Sequence, residues 1–538
     1  MPTWVSLSVP LKYTLHRFHP NLGRPASIAE GDFHPRARLL RWGVPQSPGR
    51  DHRLRTLAIA AVLIPLALAV GWLITDSLRL ATSMPAQLNY LDGYIVDDAL
   101  RIAAGEALYE DPSVAPYAIN MYTPAAMYAM AALIRGGVDG FSAGRLLSLL
   151  SVIGVALIIA LTGWPRTGWL ALAVGLLYLL HPIQWPWSLV VRPDEPALLL
   201  AIAAIALLTV DDRRWWLPAA LLLAASLLTK QSSIAAPVAA GCWLLLKNWR
   251  RGMAFAAVYA GAVGASVVLL QWRTGGLFLL HVAVANDHPF SWNRVVSMYH
   301  RFILSNPLVV GLLVVLLGVV VWRRRWSLPA VYAFTSAGVA MAVGRLGASL
   351  NHFLEPVAAI FLLVACEFPV EFFERRRPVR MAIAALLVAG FSLSAAASWI
   401  DQWRAHQTAR AMVPIHNRLV ETVAAVDGPV VSDDAAAVVG AGKRVHIRPF
   451  IMSQLSARGR WDQTPFVDEI RRHQIGMIIV RSAPRSVYEL RYTPEMRQAI
   501  DQNYEVAFTY LLGAPFDVLL PRQEPAPSSR VQSIPQGG

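Results

Sequence analysis

From residue 57 to residue 399 the chain is a series of apolar runs, 15 to 21 residues long, parted by short polar stretches. A helix needs about 17 to 25 mostly apolar residues to cross a bilayer. By that measure spans are predicted at 57–75, 143–163, 195–210, 215–229, 233–247, 253–271, 306–322, 327–344, 350–368 and 381–399, with a shorter one at 123–135. The stretch WLALAVGLLYLLHPIQWPW, 169–187, is apolar enough to join them. Pro182 and Pro186 interrupt its helical hydrogen bonding, so it reads as a re-entrant or broken segment.

Beyond residue 400 the pattern shortens. GPVVSD, IGMIIV and FDVLLP predict strands. DDAAAVVGAG, PFVDEIRRHQ and TPEMRQAIDQNY predict helices, the last opened by Thr493 and Pro494. This alternation predicts a small α/β domain over 401–522, and 523–538 has the Pro, Ser and Gly content of a disordered tail. The fold expected is a polytopic α-helical membrane protein, with about 11 spans plus one re-entrant segment and a C-terminal extracytoplasmic α/β domain.

Composition agrees. Hydrophobic residues make up 55% of the chain and charged ones 15%, where an ordinary soluble domain has about 25% charged. Mean hydropathy is +0.45. A net charge of +14 would suit nucleic acid, but the basic residues punctuate apolar runs: Arg213–Arg214, Lys247 with Arg250–Arg251, Arg323–Arg325, and Arg375–Arg377 with Arg380. Cytoplasmic loops carry charge in this way, which argues against nucleic acid as a partner. Residues 1–55 hold nine Lys or Arg against three acids and no apolar core of a secretory signal, so they are expected in the cytoplasm. The membrane domain, 56–400, then has an external loop at 76–120, and 401–522 falls outside. A second external region, 272–305, interleaves aromatic residues and His as an interface belt does. Cys242 and Cys366 lie within apolar runs and read as packing residues.

Carboxylates beside lipid are costly, which singles out LDGYIVDDALRIAAGEALYEDP, 91–112. Tyr94, Ile95, Ala99, Ile102 and Ala103 recur at helical spacing, opposite Asp97, Asp98 and Arg101. A short surface helix is expected, with Asp97 and Arg101 as a solvated pair. Asp92 precedes it and either caps the helix or faces a cavity. A second acidic site, Arg192, Asp194 and Glu195 in LVVRPDEPALLLA, stands at the outer mouth of a span; helix capping is the competing explanation. Lys230 in LLTKQSS and Arg345, Asn351, His352 and Glu355 in GRLGASLNHFLEP stand at other outer ends. Snorkelling explains Lys230 and Arg345 singly. Together, cations beside carboxylates can hold a phosphate leaving group. Asp92 and Asp194 converging on one cavity would suit general-base chemistry, a metal or a cationic substrate. Asp97, Asp98, Tyr122, His352 and Glu355 complete the candidate substrate-binding set.

The ordered series LDGYIVDDALRIAAGEALY, MYTPAAMYAMAAL, AGRLLSLLS, SLVVRPDEPALLLA, LLTKQSSIAAPV and NHFLEPVAAIFLLVA resembles the C-type glycosyltransferase superfamily. These are polytopic enzymes that use lipid-linked sugars, among them protein O-mannosyltransferases and aminoarabinose transferases. The resemblance implies inverting transfer of a hexose or pentose from a polyprenyl-phosphate donor to a lipid, glycan or protein acceptor, on the extracytoplasmic face. It implies Asp92 as catalytic base and Asp194 as the second acidic position. Lys230 matches the Lys of a Thr-Lys element and, with Arg192 and Arg345, would hold the donor phosphate. Some members bind a divalent metal between the acidic sites, so Asp92 and Asp194 are also the candidate ligands for Mg or Mn. Many relatives have Glu after the first Asp. This chain has Gly93, so that Glu is absent or its role has moved to Asp97 or Asp98. Two alternatives stay open. A transporter or lipid flippase would use the same carboxylates as cation sites, although the polar residues lie at span ends and no inverted repeat is visible. A catalytically degenerate scaffold is kept open by Gly93.

Overall fold

The computed structural model describes residues 50–324, 326–368 and 378–522. The N-terminal basic segment up to residue 49, Arg325, the Arg375–Arg377 cluster and the tail 523–538 lie outside the described residues. The apolar runs fold as helices: α1 (Arg50–Ser83), α2 (Asp92–Ala103), α3 (Ala125–Arg135), α4 (Gly140–Thr167), α5 (Trp169–Leu179), α6 (Gln184–Trp187), α7 (Asp194–Val210), α8 (Asp212–Thr229), α9 (Ala235–Lys247), α10 (Trp249–Arg273), α11 (Trp292–Ser305), α12 (Pro307–Arg323), α13 (Leu328–Val339), α14 (Leu354–Glu367) and α15 (Pro378–Ala424).

Among the described residues four stretches are long and apolar enough to cross a membrane alone: Ile59–Ser83, Gly140–Thr167, Trp249–Arg273 and Leu350–Glu367. Helices α11 and α12 meet at a 98° bend and make a fifth only when taken together. The expected crossing at 123–135 is not made by α3 alone. Its 11 residues extend about 16 Å at 1.5 Å per residue, half the hydrocarbon core, and it lies against α2 and α4. The 169–187 stretch is broken, as its prolines predict: α5 stops at Leu179 and α6 is a separate short turn. At the centre of the bundle α14 packs on α4, α5 and α13. It is apolar on every side, and Pro356 through Cys366 are buried.

Helix α15 runs 47 residues and passes residue 400, where the membrane-like composition ends, without a break. It leads into a four-stranded sheet: β1 (Val430–Ser432), β2 (Met477–Arg481), β3 (Tyr504–Leu511) and β4 (Pro515–Pro521), in the order β1-β2-β4-β3. Strand β1 is parallel to β2, and the other pairings are antiparallel. The run IGMIIV becomes β2, flanked on both sides and buried from Met477 to Val480. Helices α16 (Ala435–Gly440), α17 (Pro449–Ser456), α18 (Thr464–Arg471), α19 (Arg485–Arg491) and α20 (Pro494–Asn503) complete the domain. The Thr493 side chain caps α20, accepting from Met496 N at 3.2 Å.

The sheet domain is seated on the segment that carries α2. A Cβ on Gly93 would stand 2.4 Å from Ala436 N and 2.8 Å from Ala435 Cβ. Only glycine lets α2 and α16 approach this closely.

Asp434, just after β1, is fully buried. Burial pushes its carboxyl up to about 7, from about 3.9 in an unfolded chain. An acid raised in this way stabilises the fold fully below about pH 4, and that contribution is lost as pH rises to about 7. Asp434→Asn is therefore expected to raise the unfolding temperature of the full chain more at pH 8 than at pH 5. Scanning fluorimetry at the two pH values measures this, and equal shifts would refute the charge argument.

Candidate active site

Helix α7 starts at Asp194, α8 ends at Thr229, and the two pack along their length. This antiparallel pairing brings Asp194 and Lys230 together at one end of the bundle. Lys230 Nζ lies 2.6 Å from Asp194 Oδ1. Asn351 Nδ2 donates to the same oxygen at 2.7 Å, and Arg192 Nε stands 3.5 Å from Oδ2. Asp194 is almost fully buried, so its charge is compensated by two cations and an amide. Asp194, Lys230 and Asn351 line a polar cavity with Ser232, Ser233, His352 and Glu355. Glu355 in turn accepts from Tyr332 Oη at 3.0 Å. The cavity measures about 40 Å³, room for a few water molecules and too small for a sugar.

Arg192 is held on its other side as well. It donates to Tyr122 Oη at 2.6 Å and to Asn89 Oδ1 at 3.5 Å, and its guanidinium sits 5.3 Å from the Trp187 ring centre. Tyr122 therefore meets the site through Arg192 and does not line the cavity. Arg345 is exposed, away from the cavity lining, and has no ion-pair partner among the described residues.

Asp92 departs from expectation. It is the first residue of α2 and is completely buried. Its Oδ2 accepts from Leu88 N at 2.9 Å and Asn89 N at 3.1 Å, and its Oδ1 from Val191 N at 3.2 Å. None of these amides lies in the first turn of α2, so Asp92 does not cap it, and Asp92 does not line the cavity of Asp194. The two aspartates meet at one remove: Asp92 holds Val191, and Arg192 rests on Asp194. Burial pushes the Asp92 carboxyl up to about 6, against the pull of Arg145 and of its amide donors.

Asp97 and Asp98 are not a wet helix face, and neither lines the cavity. Both are buried, because residues 445–448 of the C-terminal domain cover that side of α2. Asp98 Oδ1 lies 2.6 Å from Arg448 Nη2, and it is Asp98, not Asp97, that pairs with Arg101, at 3.7 Å. Asp97 accepts weakly from Val445 N at 3.4 Å. Burial raises both carboxyls, that of Asp97 to about 6. Two participants are absent from the sequence reading. Gln184 donates to the buried Glu195 at 2.6 Å, and Arg448 carries no local signal at all.

A separate apolar chamber of about 1020 Å³, open along α1, is lined by Leu66 and Trp72 of α1, Leu177 of α5, Val309 of α12, Phe361 of α14 and Phe391 of α15, with the exposed Leu68 and Ile400 at its edge.

No protein-family model and no curated protein matches the sequence. Among solved structures, ArnT from Cupriavidus metallidurans in the apo state superposes with a TM-score of 0.58 at 12% identity, over 85% of this chain and 98% of that one. The fold is that of ArnT. ArnT bound to undecaprenyl phosphate gives 0.57 at 12% identity, over 86% and 98%. An Archaeoglobus fulgidus oligosaccharyltransferase in complex with Zn and sulfate aligns more loosely, at 0.49 and 12% identity, over 83% and 72%. At such identity the likeness to ArnT is one of fold and assigns no residue a role. A metal shared by Asp92 and Asp194 does not fit the residues on this ArnT-like frame. Three backbone amides point at the Asp92 carboxylate, and Lys230 is seated on Asp194. Among the described residues no group of three or more His, Cys, Asp or Glu is placed to hold one.

Proposed function

We propose that this protein is a membrane glycosyltransferase that takes a sugar from a polyprenyl-phosphate donor and passes it, with inversion, to a hydroxyl of a lipid, glycan or protein acceptor on the extracytoplasmic face. The observation that carries this reading is the cluster of Lys230, Arg192, Asn351 and Asp194 at one end of an apolar bundle. Its fold is shared with a protein that has been captured with undecaprenyl phosphate. The apolar chamber suits the donor's tail, and the cations at the bundle end suit its phosphate.

In this mechanism Asp194 Oδ takes the proton of the acceptor hydroxyl as its oxygen attacks the anomeric carbon. The bond from that carbon to the phosphate oxygen breaks, and the electron pair leaves with the polyprenyl phosphate. Lys230 and Arg192 face the departing charge. Asp92 works from behind, fixing Val191 and Asn89 and through them Arg192. At about 40 Å³ the cavity must open to admit a sugar, by parting the 230–233 turn from the 349–355 segment.

The test uses the full chain in detergent with labelled polyprenyl-phosphate pentoses and hexoses. Sugar release to an acceptor is expected, together with a raised unfolding temperature on adding undecaprenyl phosphate. Neither sugar release nor a thermal shift across the panel would overturn the reading.

A further inference from the structure

We propose that Arg448, in the C-terminal domain, is a positioning residue of the transfer site: its guanidinium holds α2 and the 117–122 strap in the register that keeps Arg192 on Asp194. This deepens the transferase reading and rests on it for the word transfer, though not for the geometry.

The side chain of Arg448 is buried and reaches three acceptors on two segments. Nη2 donates to Asp98 Oδ1 at 2.6 Å and to Tyr94 O at 3.1 Å, and Nη1 donates to Ile119 O at 3.0 Å. The backbone reinforces the tie. Tyr117 N donates to His446 O at 2.7 Å, and Arg448 N donates to Tyr117 O at 3.2 Å. Each anchored point lies close in sequence to the site: Tyr94 is two residues after Asp92, and Ile119 three before Tyr122. Tyr122 Oη accepts from Arg192, and Asp92 holds the amides of Asn89 and Val191 on either side of that arginine. One guanidinium thus fixes both neighbours of Arg192 without reaching the cavity, whose lining does not include it.

Two further observations bear on this. The close approach at Gly93 sets α16 directly on α2, one residue from Asp92. Tyr94 Oη donates to Ser432 O at 2.9 Å and Gln87 Nε2 to Asp433 O at 3.1 Å, so the exit of β1 braces the same turn. The C-terminal domain is therefore part of the wall that shapes the external segment. Gly93 is used here for docking. A lysine at 448 would keep the charge but lose the planar fork that meets three acceptors at once.

The decisive variants are Arg448→Lys and the double change Arg448→Met with Asp98→Asn. The double change removes both members of the Arg448–Asp98 pair, and the neighbouring buried Asp97 keeps Arg101 and the Val445 amide. Hydrogen exchange on the full chain in detergent needs no substrate. The amides of Leu88, Asn89 and Val191 should exchange about tenfold faster in the double variant, with the bundle helices unchanged. In the transfer assay kcat should fall at least about tenfold with donor KM within about twofold, since a small misplacement costs rate more than binding. Arg448→Lys should fall between the double variant and the wild type. Unchanged exchange at those three amides overturns the proposal, as does a double variant with wild-type kcat. Faster exchange in a protein whose wild type transfers no sugar upholds the clamp and removes the transferase reading instead.

Discussion

Asp194→Asn should lower kcat for sugar transfer by about 10²–10⁴-fold, the range for loss of a general base. Asparagine has nearly the same shape, so the change tests charge and basicity more than packing. It also frees Lys230, which in this structure sits 2.6 Å from the Asp194 carboxylate. A freed ammonium meets the donor phosphate more readily, so the thermal shift produced by undecaprenyl phosphate should hold or grow while turnover collapses. Lys230→Met is the counterpart. It leaves Asp194 buried with one cation fewer, a change that costs about 3–5 kcal/mol when a buried pair is broken, and it should weaken undecaprenyl phosphate binding. A pure capping role for Asp194 at the start of α7 predicts the reverse pattern, with reduced stability and normal kcat. Measured kcat and ligand-induced thermal shifts for the two variants separate these cases.

The parts of this architecture that depend on local pattern are legible in the sequence. Thr493 and Pro494 announce α20, the continuous apolar run IGMIIV announces a strand buried on both faces, and Pro182 breaks the 169–187 segment. The meeting of Asp194 with Lys230 is also readable, because a tight turn at 211 folds α7 and α8 back on each other and sets the start of one beside the end of the other. What is not readable depends on contacts far apart in the chain. The amphipathic pattern of α2 identifies its polar face but not what covers it, and Arg448, 350 positions from Asp98, removes that face from water. The same cover explains Gly93, which looks like a lost acidic residue until Ala435 and Ala436 are seen against it. Strand β3 is hidden for a different reason. It follows α20 with no turn residue between them and is an exposed edge whose side chains have little burial pattern to declare.

Asp92→Asn should abolish most transfer, and what accompanies the loss decides what Asp92 is. Its two oxygens accept three backbone amides. An asparagine has one acceptor oxygen, so whichever way its amide is turned, an NH₂ group faces at least one N–H donor. A buried donor left unpaired costs about 1–3 kcal/mol, and the loosened groups would be Leu88 and Asn89 or Val191, the immediate surroundings of Arg192. The positioning role therefore predicts a lower unfolding temperature and faster hydrogen exchange at these amides alongside the lost activity. A catalytic base predicts lost kcat with both of those intact. The pH profile gives an independent arm. The Asp92 carboxyl is pushed up to about 6 by burial, so wild-type transfer should decline as pH falls through 6, where the carboxylate that receives the three amides takes up a proton. If Asp92 positions, hydrogen exchange at Asn89 and Val191 should quicken over that same interval. If it is the base, the rate should fall there with exchange unchanged.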